Sequence, residues 1–153
     1  MAELNAPAPG FTLLDTNRKA VSLSDFKGQK VVVAFFPAAF TGVCTKEMCT
    51  FRDSMAALND LNATVLAISA DAPFSNGAFA TQNGLNFPVL SDYNRATIAA
   101  YGVVLENFAG MAGYTAAQRS VFVVDAEGML SYSWIAPNPG VEPDYEAVKA
   151  ALN

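Results

Sequence analysis

Two segments of the chain are almost continuously apolar. Residues 31–36 are β-branched and aromatic apart from one alanine, and residues 64–69 have a similar character. Short runs of this kind, without alternation of polar positions, are typical of strands buried on both faces of a sheet. Pro37 ends the first predicted strand, because proline cannot donate a hydrogen bond to a neighbouring strand.

A helical period follows the first predicted strand. Phe51, Met55 and Leu58 recur at spacings that place them on one face of a helix. The pattern therefore predicts a helix over residues 41–58.

A second helix is predicted over residues 71–83. Pro73 suits its first turn and Gly84 suits its end. The spacing of Phe74 and Ala78 places them together on one face of this helix.

The remaining segments are shorter and complete the order of elements. They are a hairpin of residues 11–14 and 20–23, a helical turn at 24–28, a strand at 87–90, a helix at 96–101, a loop with an edge segment at 103–114, a hairpin of 119–125 and 129–134, and a helix at 143–152. Alternation of strands and helices predicts an α/β sandwich around a mixed sheet. The length suits a single domain spanning residues 1–153.

Charge and composition restrict the partners. The formal net charge is −5 with nine basic residues, which argues against nucleic acid or an anionic membrane as a main partner. No apolar stretch approaches the roughly 18 residues of a membrane span. The first ten residues lack the basic and apolar regions of a secretory signal, so a cytoplasmic location is expected. The apolar composition leaves a monomer and a homodimer open.

Histidine is absent from the sequence. Its absence excludes Ser-His-Asp and Cys-His catalysis, most catalytic zinc sites and His-ligated haem. No P-loop and no glycine-rich dinucleotide motif is present. We therefore expect neither a cofactor nor a metal.

The two cysteines of the chain are Cys44 and Cys49. Cys44 falls near the start of the first predicted helix, where free backbone N–H groups and the helix dipole favour a thiolate. Thr41 is placed to cap this helix and to donate its hydroxyl into the site. Pro37 shields one side, and Gly42 lets the backbone approach a small substrate. The alternative is that Cys44 is a small buried hydrophobic residue.

The spacing Pro37-x-x-x-Thr41-x-x-Cys44 resembles the Pro-x-x-x-Thr-x-x-Cys signature of the peroxiredoxins. Residues 11–13, 83–92 and 119–125 are also similar to segments of that family, so the resemblance covers essentially the whole chain. It implies a thioredoxin-like fold with a central mixed β-sheet flanked by helices. It also implies a thiol-dependent peroxidase that reduces hydrogen peroxide and organic hydroperoxides.

The resemblance implies a role for each residue of the motif. Cys44 is expected to be the peroxidatic cysteine, whose thiolate attacks a hydroperoxide and becomes a sulfenic acid. Thr41 is expected to hold the thiolate and the peroxide, and Pro37 to screen the sulfenate. Arg119 is expected to stabilise the thiolate and the charge shared between the peroxide oxygens. The alternative for Arg119 is a surface cation at the start of a strand.

Four further residues are expected to surround the substrate. Val43 supplies a backbone N–H donor beside that of the cysteine, and Gly42 lies next to it. Glu47 occupies the acidic position often found three residues after the family's cysteine, and an exposed helical acid is the alternative interpretation. Phe40 lies in the loop beside the site, where it could contribute to an apolar collar for organic peroxides or to a dimer contact.

Cys49 is the candidate resolving cysteine. Residues 44–49 resemble peroxiredoxin Q, also called the bacterioferritin comigratory protein, whereas residues 40–43 resemble the one-cysteine alkyl hydroperoxide reductase E type. Helix residues five apart rise about 7.5 Å and point roughly 140° apart, whereas a disulfide needs Cα atoms within about 7 Å. We therefore predict that the turn holding Cys44 unwinds before a Cys44–Cys49 disulfide forms. The alternative is that Cys49 packs in the core and an external thiol recycles Cys44.

The family resemblance suggests thioredoxin or a similar dithiol as the reductant. Two rival functions are a thioredoxin-like disulfide oxidoreductase and a peroxide sensor or holdase that acts on a partner protein. The missing Cys-x-x-Cys spacing weakens the first rival. The sequence leaves the second open.

Overall fold

The computed structural model describes residues 2–153. The strands are β1 (Thr12–Leu14), β2 (Ala20–Ser22), β3 (Lys30–Phe35), β4 (Ala63–Ser69), β5 (Val89–Ser91), β6 (Val104–Leu105), β7 (Ala116–Ala117), β8 (Ser120–Val124) and β9 (Leu130–Ile135). The α-helices are α1 (Gly42–Asp60), α2 (Pro73–Asn83), α3 (Ala96–Ala100) and α4 (Tyr145–Ala151), with 3-10 turns at Leu23–Phe26 and Phe108–Gly110. The predicted elements are found with boundaries that differ by no more than two residues.

The central sheet has seven strands in the order β2-β1-β5-β4-β3-β8-β9. Strands β3, β4 and β5 run parallel to one another, whereas β8 and β9 continue the sheet with antiparallel pairing beyond β3. The hairpin of β1 and β2 extends the other side through an antiparallel contact with β5. Strands β6 and β7 form a separate two-stranded ribbon. This mixed sheet flanked by helices confirms the predicted α/β fold.

The core lies on both faces of the sheet. Successive side chains of β3, and that of Phe36 after it, point to opposite faces of the sheet, because side chains alternate along a strand. Val32, Ala34 and Phe36 belong to an apolar cluster that includes α1, α2 and α4, and the intervening β3 residues belong to a second cluster on the other face. Burial on both faces explains why β3 is apolar without alternation.

The apolar face predicted for α2 is wrong. Phe74 is 67% exposed, and the Arg18 guanidinium lies 5.1 Å from its ring centroid. The inner face instead carries Phe79 and Asn76, both buried. The Asn76 amide accepts a hydrogen bond from the Ser69 hydroxyl at 3.0 Å. Because the inner face contains this polar residue, the spacing of apolar residues indicated the wrong side of the helix.

The pairing of β3 with β8 positions the site described below. Phe35, the last residue of β3, is paired with Ser120, the first residue of β8. Arg119 directly precedes Ser120 and therefore reaches the edge of the sheet where β3 ends and the chain turns into α1. Among residues 2–153, no helix combines the length and apolar character needed to cross a bilayer.

Candidate active site

Cys44 is the third residue of α1 and is completely buried. The N–H of Thr45 donates to the Thr41 carbonyl at 2.9 Å. The N–H groups of residues 42–44 therefore precede the first hydrogen bond of the helix and have no carbonyl of a preceding turn to bind. The positive end of the α1 dipole lies at the cysteine.

Arg119 is the cation of this site and is only 2% exposed. Its Nη2 donates to Cys44 Sγ at 3.3 Å, and its Nη1 donates to Glu47 Oε1 at 2.9 Å. Its Nε and Nη2 also donate to the Pro139 carbonyl, at 3.1 and 2.8 Å. Burial opposes the charge of Arg119, but Glu47 and Cys44 outweigh burial and raise its pKa. The alternative interpretation of Arg119 as a surface cation is wrong.

Glu47 is fully buried, so its interpretation as an exposed helical acid is wrong. Burial raises the pKa of Glu47 from 4.5 to about 8, although Arg119 acts in the opposite direction. Among the described residues, Oε2 has no hydrogen-bond partner. The spacing of residues in α1 predicts this burial, because Glu47 lies four residues before Phe51 on the buried helix face that continues to Met55.

At the end of the loop between β3 and α1, Thr41 is the N-cap residue of α1, as predicted, but its side chain does not cap the helix. No side-chain cap hydrogen bond forms at Thr41, because its hydroxyl donates to the Ala38 carbonyl at 2.9 Å instead. The preceding residue, Phe40, has a φ of +68° and is 49% exposed. Its ring meets that of Phe79 edge to face at 5.4 Å. A left-handed conformation is strained for a bulky residue, and such strain is typical of loops at functional sites.

Asp71 supports this loop and was not predicted to belong to the site. Its Oδ2 accepts the N–H of Ala39 at 2.8 Å, between the buried Pro37 and Thr41. The sequence contains a signal for this contact. Asp71 follows β4 and the loop follows β3, and because the two strands are parallel neighbours, their carboxyl ends share one edge of the sheet.

Cys49 lies on the same unbroken helix but has different surroundings. Its Sγ is half-buried and lies 3.7 Å from Asn83 Oδ1, at the end of α2. Both cysteines are free thiols. The structure therefore does not bring Cys44 and Cys49 together.

Residues 136–144, which precede α4, lie on the Arg119 side of the site. The sequence pattern did not predict this contact. Beyond Pro139, Glu142 forms an ion pair with Lys46 at 3.2 Å and accepts a hydrogen bond from the Tyr145 hydroxyl at 2.8 Å. The Tyr145 ring packs on Phe51 at 5.4 Å. These contacts hold the segment against α1.

Residues 4–133 match the AhpC/TSA family. The chain belongs to this family, the peroxiredoxins. It is 40% identical to alkyl hydroperoxide reductase E of Mycobacterium tuberculosis over 136 residues, which cover 87% of this chain and 85% of the relative. It is 39% identical to thiol peroxidase of Corynebacterium glutamicum over 144 residues, which cover 94% and 84%.

Solved structures of peroxiredoxins have the same fold. Peroxidoxin BcpB of Mycobacterium tuberculosis superposes with a TM-score of 0.85 at 28% identity and covers 99% of this chain and 97% of its own. Peroxiredoxin Q of Xanthomonas campestris gives a TM-score of 0.81 at 28% identity and covers 93% and 89%. The peroxiredoxin resemblance and the thioredoxin-like fold are therefore confirmed. The protein is a peroxidase that reduces peroxide through a cysteine.

Proposed function

We propose that this peroxiredoxin reduces hydrogen peroxide and organic hydroperoxides at Cys44. The observation that carries the proposal is the 3.3 Å contact between Arg119 Nη2 and Cys44 Sγ at the start of α1. A buried guanidinium and a helix N-terminus both stabilise negative charge on sulfur. Among residues 2–153, the hydrogen-bond partner recorded for the Cys49 sulfur is the neutral Asn83 amide at 3.7 Å rather than a buried guanidinium.

The reaction begins with the Cys44 thiolate. Sulfur attacks the terminal oxygen of the hydroperoxide, an S–O bond forms and the O–O bond breaks. The alkoxide or hydroxide that leaves takes up a proton, and Cys44 becomes a sulfenic acid. Arg119 stabilises the thiolate before the attack and the negative charge that spreads over the peroxide oxygens during it.

The residues around the thiolate have supporting roles in this proposal. The Thr41 hydroxyl turns from the Ala38 carbonyl to hold the thiolate and the peroxide, and Pro37 screens the sulfenate from water. The backbone N–H groups of Gly42 and Val43 supply further donors to the peroxide.

Phe40 and Glu47 complete the site. Phe40 provides an apolar wall for organic peroxides, in keeping with its exposure beside the loop. A contact of Glu47 with the peroxide stays a prediction. Its contact with Arg119 supports a role in holding the guanidinium.

Cys49 then resolves the sulfenic acid. Its sulfur attacks Cys44, an S–S bond forms and water leaves. The first turns of α1 must unwind for this step, because an intact helix keeps residues five apart on different faces. Thioredoxin or a similar cytoplasmic dithiol reduces the disulfide. The chain acts as a single domain, as a monomer or a homodimer.

A one-cysteine cycle is the second candidate, and one observation favours it. Cys49 faces Asn83 on α2 rather than the Cys44 site. In this cycle an external thiol attacks the sulfenic acid directly. Peptide mapping under non-reducing conditions, after one equivalent of peroxide, separates the two cycles. A Cys44–Cys49 bridge supports resolution by Cys49, and a sulfenic or mixed-disulfide Cys44 without that bridge supports the one-cysteine cycle.

Steady-state turnover tests the proposed peroxidase activity. Peroxide consumption with a thioredoxin system is measured for the parent, Cys44→Ser and Cys49→Ser proteins, with hydrogen peroxide and with an organic hydroperoxide. We expect Cys44→Ser to abolish turnover of both peroxides and Cys49→Ser to reduce turnover while its first oxidation continues. Full turnover by Cys44→Ser contradicts the proposal.

A further inference from the structure

Two acidic groups face one cation in the buried site. Arg119 donates to Cys44 Sγ at 3.3 Å and to Glu47 Oε1 at 2.9 Å. Cys44 and Glu47 are both 0% exposed. Burying a charge without a partner is costly, so a single guanidinium in this site balances a single negative charge.

The neighbouring charged groups do not change this balance. Glu142 lies near Glu47 and adds negative charge, which also raises the pKa of Glu47 after the larger effect of burial. Lys46 is paired with Glu142, and its side chain is 71% exposed. Tyr145 donates its hydroxyl hydrogen to Glu142. Among these groups none supplies a second buried positive charge.

We propose that Glu47 holds a proton while Cys44 is a thiolate and releases it when Cys44 is oxidised. This inference rests on the proposed function of Cys44. The Cys44 thiolate, the Glu47 carboxylic acid and a hydroperoxide give a sulfenic acid, a Glu47 carboxylate and an alcohol. The proton from Glu47 balances the alkoxide formed when the O–O bond breaks. Arg119 faces one negative charge before and after the step.

The surroundings of Glu47 suit a carboxyl group that changes its protonation. Its Oε2 is buried without a hydrogen-bond partner in the described residues. A neutral carboxyl tolerates such a position better than a carboxylate does. With a pKa of about 8, the Glu47 carboxyl is about half protonated at mildly alkaline pH. The gain or loss of one negative charge at Cys44 then decides its state.

In this scheme Glu47 holds the Arg119 guanidinium and also supplies the proton that the alkoxide takes up. A purely structural role for Glu47 would leave the number of protons exchanged with solvent unchanged. The proton count is therefore the measurement that separates the two roles.

The experiment follows proton uptake while Cys44 is oxidised. Reduced Cys49→Ser protein is mixed with one equivalent of hydrogen peroxide in a weakly buffered solution at pH 8, because the pKa of Glu47 is about 8. A pH-indicator dye gives the protons taken up, and mass spectrometry gives the fraction of Cys44 oxidised. We expect about half a proton per oxidised Cys44 in this protein, because Glu47 is about half ionised at a pH equal to its pKa, and about one proton when Glu47→Gln is added. Glu142→Gln is the matched control and keeps the lower value.

Two results overturn the inference alone. A full proton taken up with Glu47 present shows that Glu47 supplies none. Equally small uptake with and without Glu47 shows that a thiol reactant or a sulfenate product, rather than Glu47, accounts for the balance. The first result does not depend on how the Glu47→Gln protein folds. If Cys44 is not oxidised in any of the proteins, the proposed function fails and the inference fails with it.

Discussion

Arg119 Nη2 lies 3.3 Å from Cys44 Sγ, although the two residues are 75 positions apart in the chain. The contact depends on the β3–β8 pairing, which places Phe35 opposite Ser120 at the edge of the sheet where the chain leads from β3 into α1. The Pro139 carbonyl and Glu47 hold the same guanidinium from two other directions. A planar group with several donors is needed to satisfy all of these partners at once.

Arg119→Lys is expected to slow the oxidation of Cys44 by about 100-fold or more, the size typical for loss of one donor to a developing charge. Lysine keeps the positive charge, but an ammonium cannot contact sulfur, Glu47 and Pro139 in the same geometry. Stopped-flow kinetics with hydrogen peroxide measure the effect. Arg95→Lys is the control, because Arg95 binds the backbone carbonyls of Thr115 and Tyr93 instead. An unchanged rate in Arg119→Lys contradicts the assignment.

Asp71→Ala is expected to weaken the loop that carries the site. The N–H of the half-buried Ala39 loses its acceptor. A fully buried unsatisfied donor costs about 1–3 kcal/mol, so a partly solvated one should cost about 1 kcal/mol. We expect lower stability in urea together with slower oxidation of Cys44. Asp71→Asn, whose amide oxygen can accept the same hydrogen bond, should restore most of both. Equal losses in the two variants indicate that the carboxylate charge matters instead.

The strand and helix order was predictable because it rests on local patterns. The apolar run of β3 and the period of α1 identify the elements that carry Cys44, and Pro37 marks the turn between them. Boundaries shifted by a residue or two because hydrogen bonding, rather than apolar character, decides where a strand or helix ends.

The composition of the site was only partly predictable. Arg119 was identified through the family motif, since its distance from Cys44 depends on strand pairing across the sheet. The Pro139 acceptor is a backbone carbonyl, which no side-chain pattern identifies. Glu47 was predicted to belong to the site, but its burial follows from the helix stripe that continues from Phe51. Asp71 required the parallel order of β3 and β4.

The pH dependence of the free energy of unfolding, measured in Cys44→Ser protein, tests the burial of Glu47. The folded pKa of about 8 lies above the ordinary 4.5, so the stabilising contribution is fully present below about pH 4.5 and is lost as pH rises toward 8. In the unfolded chain Glu47 ionises near pH 4.5, whereas in folded Cys44→Ser protein it ionises only as the pH approaches about 8, the pH at which oxidation of Cys44 is proposed to release its proton. Stability should therefore fall across the window by at most about 1.4 kcal/mol per pH unit relative to Cys44→Ser/Glu47→Gln.

The comparison between those two proteins removes the other titrating groups that they share. A constant stability difference from pH 4.5 to 8 shows that Glu47 ionises normally and contradicts its raised pKa. Glu142→Gln in the same Cys44→Ser background is a second control, because Glu142 contributes less than burial to the raised pKa of Glu47 and most of the pH dependence should remain.

Hydrogen exchange tests whether α1 unwinds. Residues 42–49 should be protected in the reduced parent and should exchange rapidly after one equivalent of peroxide, because a Cys44–Cys49 disulfide cannot form on an intact helix. The peroxide-treated Cys49→Ser protein should keep its protection. Unwinding in both proteins indicates that sulfenic acid formation, rather than the disulfide, opens the helix. Protection in both indicates the one-cysteine cycle.

Single-turnover oxidation tests the central claim that Cys44 is the cysteine that attacks peroxide. Trp134, the single tryptophan, packs against the cluster that contains Cys44, so its fluorescence can follow the reaction. Reduced Cys49→Ser and Cys44→Ser proteins are mixed with hydrogen peroxide in a stopped-flow instrument. The account predicts that Cys49→Ser reacts much faster than free cysteine at the same pH and that Cys44→Ser reacts no faster. Rapid oxidation of Cys44→Ser, or a rate for Cys49→Ser equal to that of free cysteine, contradicts it.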